Sequence, residues 1–463
     1  MVGVCAPRLC GVGMLSVRKT GGCMKGFLKN PARLVPLAFA LVILVGTLAL
    51  MLPVARPEGI GAPFMTALFV ATSATAVTGL STVDTATYWS GFGQAVIYLL
   101  FHVGGFGIMS AATLLGMVVS RKMGLTRQLI VQAEAKGIAP GDVKSVLTFV
   151  LGVAAVVEGI AAAIIAGQLL QAGLPSHQAL WHGIFLAGAS FTNAGFMSLP
   201  GGAVQVADHR LSMAVMMGAI VIGGLGLPVL HEVRQWEKGR WSLHARMTLL
   251  GTAVLFLAGA VVTLGLEWDN PATLGGKPVV DQVMQAMFHS VNTRSGGLNV
   301  FDTGAIREET MLATYALMVV GAGSAGMGGG IKVSTLMIIL LAVWSEMRGD
   351  AETQAFGRRL SPAVLREALV LVALSVAVLM VAVLVLRLTS HLPLNPLIFE
   401  AISAFGNVGL SMGLTPQLQP SAQGIIILLM YLGRVGIITV ATGLALRARR
   451  TEYRYPEERP IVG

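Results

Sequence analysis

Charge is scarce in this chain: 12% of its 463 residues are Asp, Glu, Lys or Arg, about half the roughly 25% usual in soluble globules. Cysteine is scarcer. Cys5, Cys10 and Cys23 all precede the first long apolar run, which excludes a disulfide framework across an outer face. No His or further Cys accompanies them at ligand spacing, so they do not read as a metal site. Also missing are a recognisable Ser-His-Asp spacing and a phosphate-binding Walker loop. The Gly-rich run from Gly321 to Gly330 lacks the Gly-Lys-Ser/Thr ending and the strand-to-helix setting, so neither ATP hydrolysis nor another enzymatic activity is expected, and no organic cofactor.

What is present is apolar length. Hydrophobic residues make up 55% of the chain, and the mean hydropathy is +0.76. Leu34 to Leu52 and Leu211 to Leu230 contain no charge, and roughly 20 residues of helix cross a bilayer. An unusually hydrophobic soluble enzyme is excluded by these runs. The net charge of +10 raises nucleic acid as a partner, but the distribution points to the lipid bilayer instead. Of 32 Lys and Arg, 24 lie in the two termini and in three alternate loops, 120 to 144, 231 to 246 and 345 to 366. By the positive-inside rule both termini are cytoplasmic and the spans even in number. The first 30 residues resemble neither a packed element nor a secretory signal with a cleavage site.

Eight spans are expected, at about 34–54, 90–118, 144–170, 211–231, 245–266, 310–344, 366–387 and 421–446. Between the members of each successive pair lies an apolar stretch too short to cross, followed by a turn ending in Gly and then Leu or Phe. These endings are Gly79-Leu80, Gly195-Phe196, Gly297-Leu298 and Gly409-Leu410, spaced by 116, 102 and 112 residues. One such pair would mean nothing; four at near-constant period report a repeat. Each unit has an even number of spans, so all four share one orientation. The expected fold is therefore an all-α polytopic membrane protein of four parallel M1-P-M2 repeats, eight spans and four re-entrant pore helices, around a pseudo-fourfold central pore. Its divisions are an N-terminal tail (1–33), units at 34–119, 120–236, 237–345 and 346–450, and a C-terminal tail (451–463).

Non-helical backbone at membrane depth survives where it lines water or is buried in protein. A cation filter uses it, because carbonyl oxygens are hard donors that replace an ion's hydration shell. The candidate filter residues are Val77, Thr78, Gly79, Asn193, Ala194, Gly195, Ser295, Gly296, Gly297, Asn407, Val408 and Gly409. Helix caps or close-packing glycines in a carrier without a filter are the alternative. In the sixth span, Gly321, Gly323, Gly326, Gly328, Gly329 and Gly330 cannot sustain a continuous helix, since each costs about 1 kcal/mol against Ala. A broken helix with a mobile loop beneath the filter is expected there, with Lys332 directed to a cytoplasmic vestibule. Arg434, in the eighth span, is costly in lipid and is expected to face protein or water. His102, His182 and His289 are read as background positions, Glu158 and Glu400 as polar pairs or tuners of the outer pore, and Arg294 as a pin for its loop.

The stretches Thr75 to Ser81 (TAVTGLS), Ser190 to Phe196 (SFTNAGF), Asn292 to Asn299 (NTRSGGLN), Gly406 to Gly413 (GNVGLSMG), Gly328 to Thr335 (GGGIKVST) and Gly433 to Thr439 (GRVGIIT) together resemble the Trk/Ktr/HKT superfamily of K⁺ transporters. One span precedes the first pore loop, where the TrkH branch has two further helices, which favours the KtrB branch. Gly296 departs from that branch, where Ala is common. The resemblance implies a K⁺ pore within one chain in the cytoplasmic membrane, with the four glycines in its filter and the loop at 321–330 as gate. It places Arg434 near the pore below the filter. It further implies a homodimer of membrane subunits, Na⁺ as an activator, and a cytosolic KtrA-like ring that binds ATP or ADP. A Na⁺- or H⁺-coupled symporter is the alternative.

Overall fold

The computed structural model describes residues 31–121, 143–202, 206, 209–234, 241–350 and 352–436. The three cysteines, residues 437–446 of the eighth expected span and the C-terminal tail lie outside the described residues. The first unit comprises α1 (Pro31–Leu50), the short α2 (Phe64–Thr75), a single turn α3 (Thr85–Tyr88) and α4 (Gly91–Arg121). In the second are α5 (Val143–Gln171), α6 (Ser176–Phe191), α7 (Arg210–Leu225) and α8 (Leu227–Arg234). The third holds α9 (Leu243–Glu267), α10 (Val279–Asn292), α11 (Glu308–Val319) and α12 (Val333–Arg348). A two-residue hairpin, β1 (Gln354–Ala355) with β2 (Arg358–Arg359), leads into the fourth unit: α13 (Pro362–Ser390), α14 (Leu394–Gly406) and α15 (Pro420–Val435).

Three of these helices, Thr148–Gln171 within α5, α9 and α13, are each long and apolar enough to cross a bilayer uninterrupted. Their caps follow from sequence. The Ser361 side chain accepts from the Val364 amide ahead of Pro362, and Ser242 accepts from Ala245 at the start of α9, satisfying amides that a helix N-terminus leaves unpaired. Leu369, Val376, Met380 and Leu384 on α13, and Leu257 and Val261 on α9, remain exposed. On helices of this length such faces meet lipid.

The short helices α2, α6, α10 and α14 share a start that the sequence reading passed over. Each has proline as its N-cap, Pro63, Pro175, Pro278 and Pro393, with φ between −56° and −55° and ψ between 141° and 143°. A proline fixes φ and thereby sets the angle at which the chain re-enters. Packing then closes a circle. The outgoing helix of each unit lies against the short helix of the next: α4 on α6, α7 on α10, α11 on α14 and α15 back on α2. Three outgoing helices also seat a glycine on the end of their own unit's short helix. A Cβ at Gly104, Gly223 or Gly433 would lie 1.9 Å from the carbonyl oxygen of Thr75, Phe191 or Phe405, respectively. In this respect the third unit is different.

Among the described residues, two outgoing helices are broken. In the third unit the glycine run interrupts the helix as expected, and a bridge between Val320 and Ile331 clips the loop at its base. Gly321 N–H donates to Ile331 O at 2.8 Å and Ile331 N–H to Val319 O at 3.3 Å. In the second unit the expected single span 211–231 is instead two helices, α7 and α8, bent by 108° at Gly226. Gly226 has φ of 89°, and a Cβ there would lie 2.5 Å from Ser324 O. The second break therefore occurs where the loop of the third unit docks.

A ring of four turns and the loop beneath it

Each short helix ends in a turn of one design. Val77, Asn193, Ser295 and Asn407 have φ of 57°, 60°, 78° and 49°, and Gly79, Gly195, Gly297 and Gly409 have φ of 95°, 69°, 69° and 92°. The residues between them, Thr78, Ala194, Gly296 and Val408, do not share the positive φ. Alternating handedness turns successive carbonyls to one side of the chain. For Val77, β-branched, this conformation is strained, as occurs at functional sites.

The amides of the turns point back into the helix ends. Thr78 N–H donates to Ser73 O at 2.8 Å, Ala194 N–H to Ala189 O at 2.7 Å, Gly296 N–H to Asn292 O at 2.9 Å and Val408 N–H to Ser403 O at 2.9 Å. Side chains add a second tie in three units: Gly79 N–H to Ser73 Oγ (3.1 Å), Leu298 N–H to Asn292 Oδ1 (3.0 Å) and Gly409 N–H to Ser403 Oγ (3.1 Å). With donors turned inward, the carbonyls of the twelve turn residues accept no protein hydrogen bond among the described residues. Buried carbonyls are normally satisfied. These would be satisfied by a cation.

The four turns meet in chain order. A Cβ on Gly79 would lie 2.8 Å from Gly195 Cα, one on Gly195 3.0 Å from Gly297 Cα, one on Gly297 3.3 Å from Gly409 Cα, and one on Gly409 2.0 Å from Thr78 O. Such spacing leaves no room for side chains on the ring. The turns are also cross-braced: Asn407 Nδ2 donates to Thr78 Oγ1 at 2.8 Å and Ser295 Oγ to Gly406 O at 3.3 Å. On the short helix before the fourth turn, Glu400 is 1% exposed and accepts from Thr415 Oγ1 at 2.9 Å and from Ser411 Oγ, fixing the chain that leaves the ring.

The loop at 321–330 lies against this ring. A Cβ on Gly328 would meet the Ser295 side chain at 2.9 Å, and one on Gly329 the Asn407 side chain at 2.2 Å. On its other side the loop rests on the broken end of α7, with Gly323 N–H donating to Gly224 O at 2.9 Å and Met327 N–H to Gly223 O at 3.1 Å. Cations hold its carbonyls. Arg434, 5% exposed, donates to Met327 O and, at 3.0 Å, to Gly104 O. Lys332, partly exposed, donates from its Nζ to Gly328 O at 2.5 Å. Arg294 reaches Gly321 O at 2.9 Å.

Other polar residues pair away from the ring. His102 faces the Glu158 carboxylate at 3.1 Å, His182 lies 2.9 Å from Ser198 Oγ and His289 3.3 Å from Thr314 Oγ1. Several parts of the site escaped sequence reading: the docking residues Gly223, Gly224 and Gly226, the carbonyl partners of Arg294, and the hydroxyl partners of Glu400. The four prolines, 16 to 20 residues before their glycines, offered a spacing that could have been read.

Comparison with known proteins accords with this architecture. The family described as TrkH, cation transport protein, matches residues 35–450. The chain is 34% identical to the Ktr system potassium uptake protein B of Bacillus subtilis, over 94% of this chain and 97% of that one. It is 32% identical to the potassium/sodium uptake protein NtpJ of Enterococcus hirae, with the same coverage. The fold is similar to the crystal structure of the potassium transporter TrkH from Vibrio parahaemolyticus, with a TM-score of 0.71, 16% identity, and 91% of this chain and 85% of that one covered. Four repeated hairpins, a closed ring of turns and a match over nearly the whole length lead to one conclusion: the chain belongs to the TrkH family of cation transport proteins, within the Trk/Ktr/HKT superfamily.

Proposed function

We propose that the chain is a K⁺ uptake pore, with the turn residues 77–79, 193–195, 295–297 and 407–409 as its selectivity filter. The observation that carries this reading is the meeting of four turns whose carbonyls lack protein donors among the described residues. Four short helices direct their C-terminal ends, partly negative, toward the same point. Membrane potential drives the ion inward at about 2.3 kcal/mol per unit charge per 100 mV, so no fuel site is needed. The glycines at 321, 323, 326, 328, 329 and 330, with Lys332 and Arg434, form the gate below. Control by a cytosolic ring that binds ATP or ADP, pairing of two membrane subunits and activation by Na⁺ rest on the superfamily resemblance, and cytoplasmic termini rest on the distribution of Lys and Arg; these complete the proposal.

A second reading, cation flux coupled to Na⁺, is favoured by the similarity to the potassium/sodium uptake protein of Enterococcus hirae. Purified protein in liposomes with separately imposed K⁺, Na⁺ and H⁺ gradients distinguishes the two. A K⁺ current that persists with Na⁺ absent and pH equal on both sides is expected. Flux that requires a Na⁺ or H⁺ gradient would replace the pore by a coupled carrier.

A further inference from the structure

Arg294 stands three residues before Gly297, and the corresponding residues of the other turns are Ala76, Thr192 and Gly406. A long cation thus occurs in one turn of four, and that turn belongs to the unit whose outgoing helix gives way to the loop. Arg294 is 3% exposed. Its Nη2 donates to Gly321 O at 2.9 Å, its Nη1 to Thr252 O on α9 at 3.3 Å, and its guanidinium carbon lies 4.6 Å from the centre of the Phe256 ring. None of the four ion pairs among the described residues includes it. This buried cation is therefore held by two carbonyls and an aromatic face, and one of those carbonyls is where the loop begins.

Gly321 is also where the loop is clipped, since its N–H donates to Ile331 O. The same residue is thus gripped twice, by the far end of the loop through its N–H and by the third turn through its carbonyl. Next to Arg294, Ser295 Oγ donates to Gly406 O of the fourth turn. We infer that Arg294 is the positioning residue that fastens the base of the loop to the third turn and holds the loop closed from the filter side, opposite Arg434. This rests on the reading of the loop as gate. Two acceptors on separate elements suit a planar guanidinium fork, whereas an ammonium is a single point of charge.

The test measures basal K⁺ flux in liposomes, without any cytosolic partner, for Arg294→Gln, Arg294→Lys, a chain lacking residues 323–328, and the deletion combined with Arg294→Gln. Arg294→Gln is expected to raise flux by about 5- to 10-fold, within the range of coupling between two sites, with Arg294→Lys between it and the parent. In the deleted chain, Arg294→Gln should add less than about 2-fold, because the fastened element is gone. Should Arg294→Gln fail to assemble, Arg294→Lys, which keeps the buried charge, carries the comparison. Unchanged or reduced flux in the assembled variants overturns the inference. So does an equal loss of K⁺ over Na⁺ discrimination in both backgrounds without a rise in flux, which would make Arg294 a brace of the filter alone. Failure of the deletion itself to raise flux would instead overturn the gate.

Discussion

Gly409→Ala is expected to abolish selective K⁺ flux, by roughly 100-fold or more, in protein that still assembles, while Gly413→Ala keeps flux within about 2-fold; a factor of 100 corresponds to about 3 kcal/mol. The two glycines sit four residues apart in one segment, and both have positive φ, 92° and 75°. Alanine therefore meets a similar backbone penalty at each, about 1–2 kcal/mol. They differ in what surrounds them. A Cβ on Gly413 meets nothing within 4 Å, whereas one on Gly409 lies 2.0 Å from Thr78 O and 3.1 Å from Gly297 Cα. Thr78 O is a carbonyl of the first turn, so the fourth turn can accept a methyl only by displacing an oxygen proposed to bind the ion. Flux and the K⁺ over Na⁺ permeability ratio, measured on variants of matched oligomeric profile, decide it. A Gly409→Ala protein that remains as selective as the parent would remove this turn from the filter.

Deleting 323–328 is expected to raise basal K⁺ flux by roughly tenfold or more, as when an open state of about 0.1–10% population becomes the only one available. The loop touches Ser295 and Asn407 of the ring and rests on Gly223 and Gly224. It is thus wedged between the turns and the broken helix of the second unit. The deletion spares Gly321, Gly330 and the Val320–Ile331 bridge, so that the flanking helices remain joined. Flux that stays at or below the parent level in assembled protein would show that the loop supports the pore instead of obstructing it.

What the sequence made legible follows from the kind of constraint involved. The four glycines were visible because a ring of near-contacting backbones imposes the same residue at the same place in each unit, and repetition is a signal that one chain carries. The break in the third unit was visible because six glycines in ten residues oppose a helix wherever they occur. The break at Gly226 gave a weaker sign: Gly223, Gly224, Gly226 and Pro228 cluster in an otherwise apolar run, while the partner that shapes it, Ser324 with its neighbours, lies 98 positions later in the chain. Arg294 could be read as a pin but not assigned a partner, because its acceptors are backbone carbonyls, which every residue possesses. Lys332 is a related case: the sequence showed a cation beside a break, and the fold supplies Gly328 O as its acceptor. The four N-cap prolines were legible in principle; their distances to the glycines vary, which hid them beside the sharper Gly-Leu signal.

The most direct test of a single filter built by one chain is anomalous scattering from crystals of the protein soaked in Tl⁺, a heavy stand-in for K⁺. Density is expected on the axis enclosed by Gly79, Gly195, Gly297 and Gly409, within coordinating distance of carbonyls from all four turns. Tl⁺ found instead between two copies of the chain, or bound by side chains away from the ring with the axis empty, would contradict it.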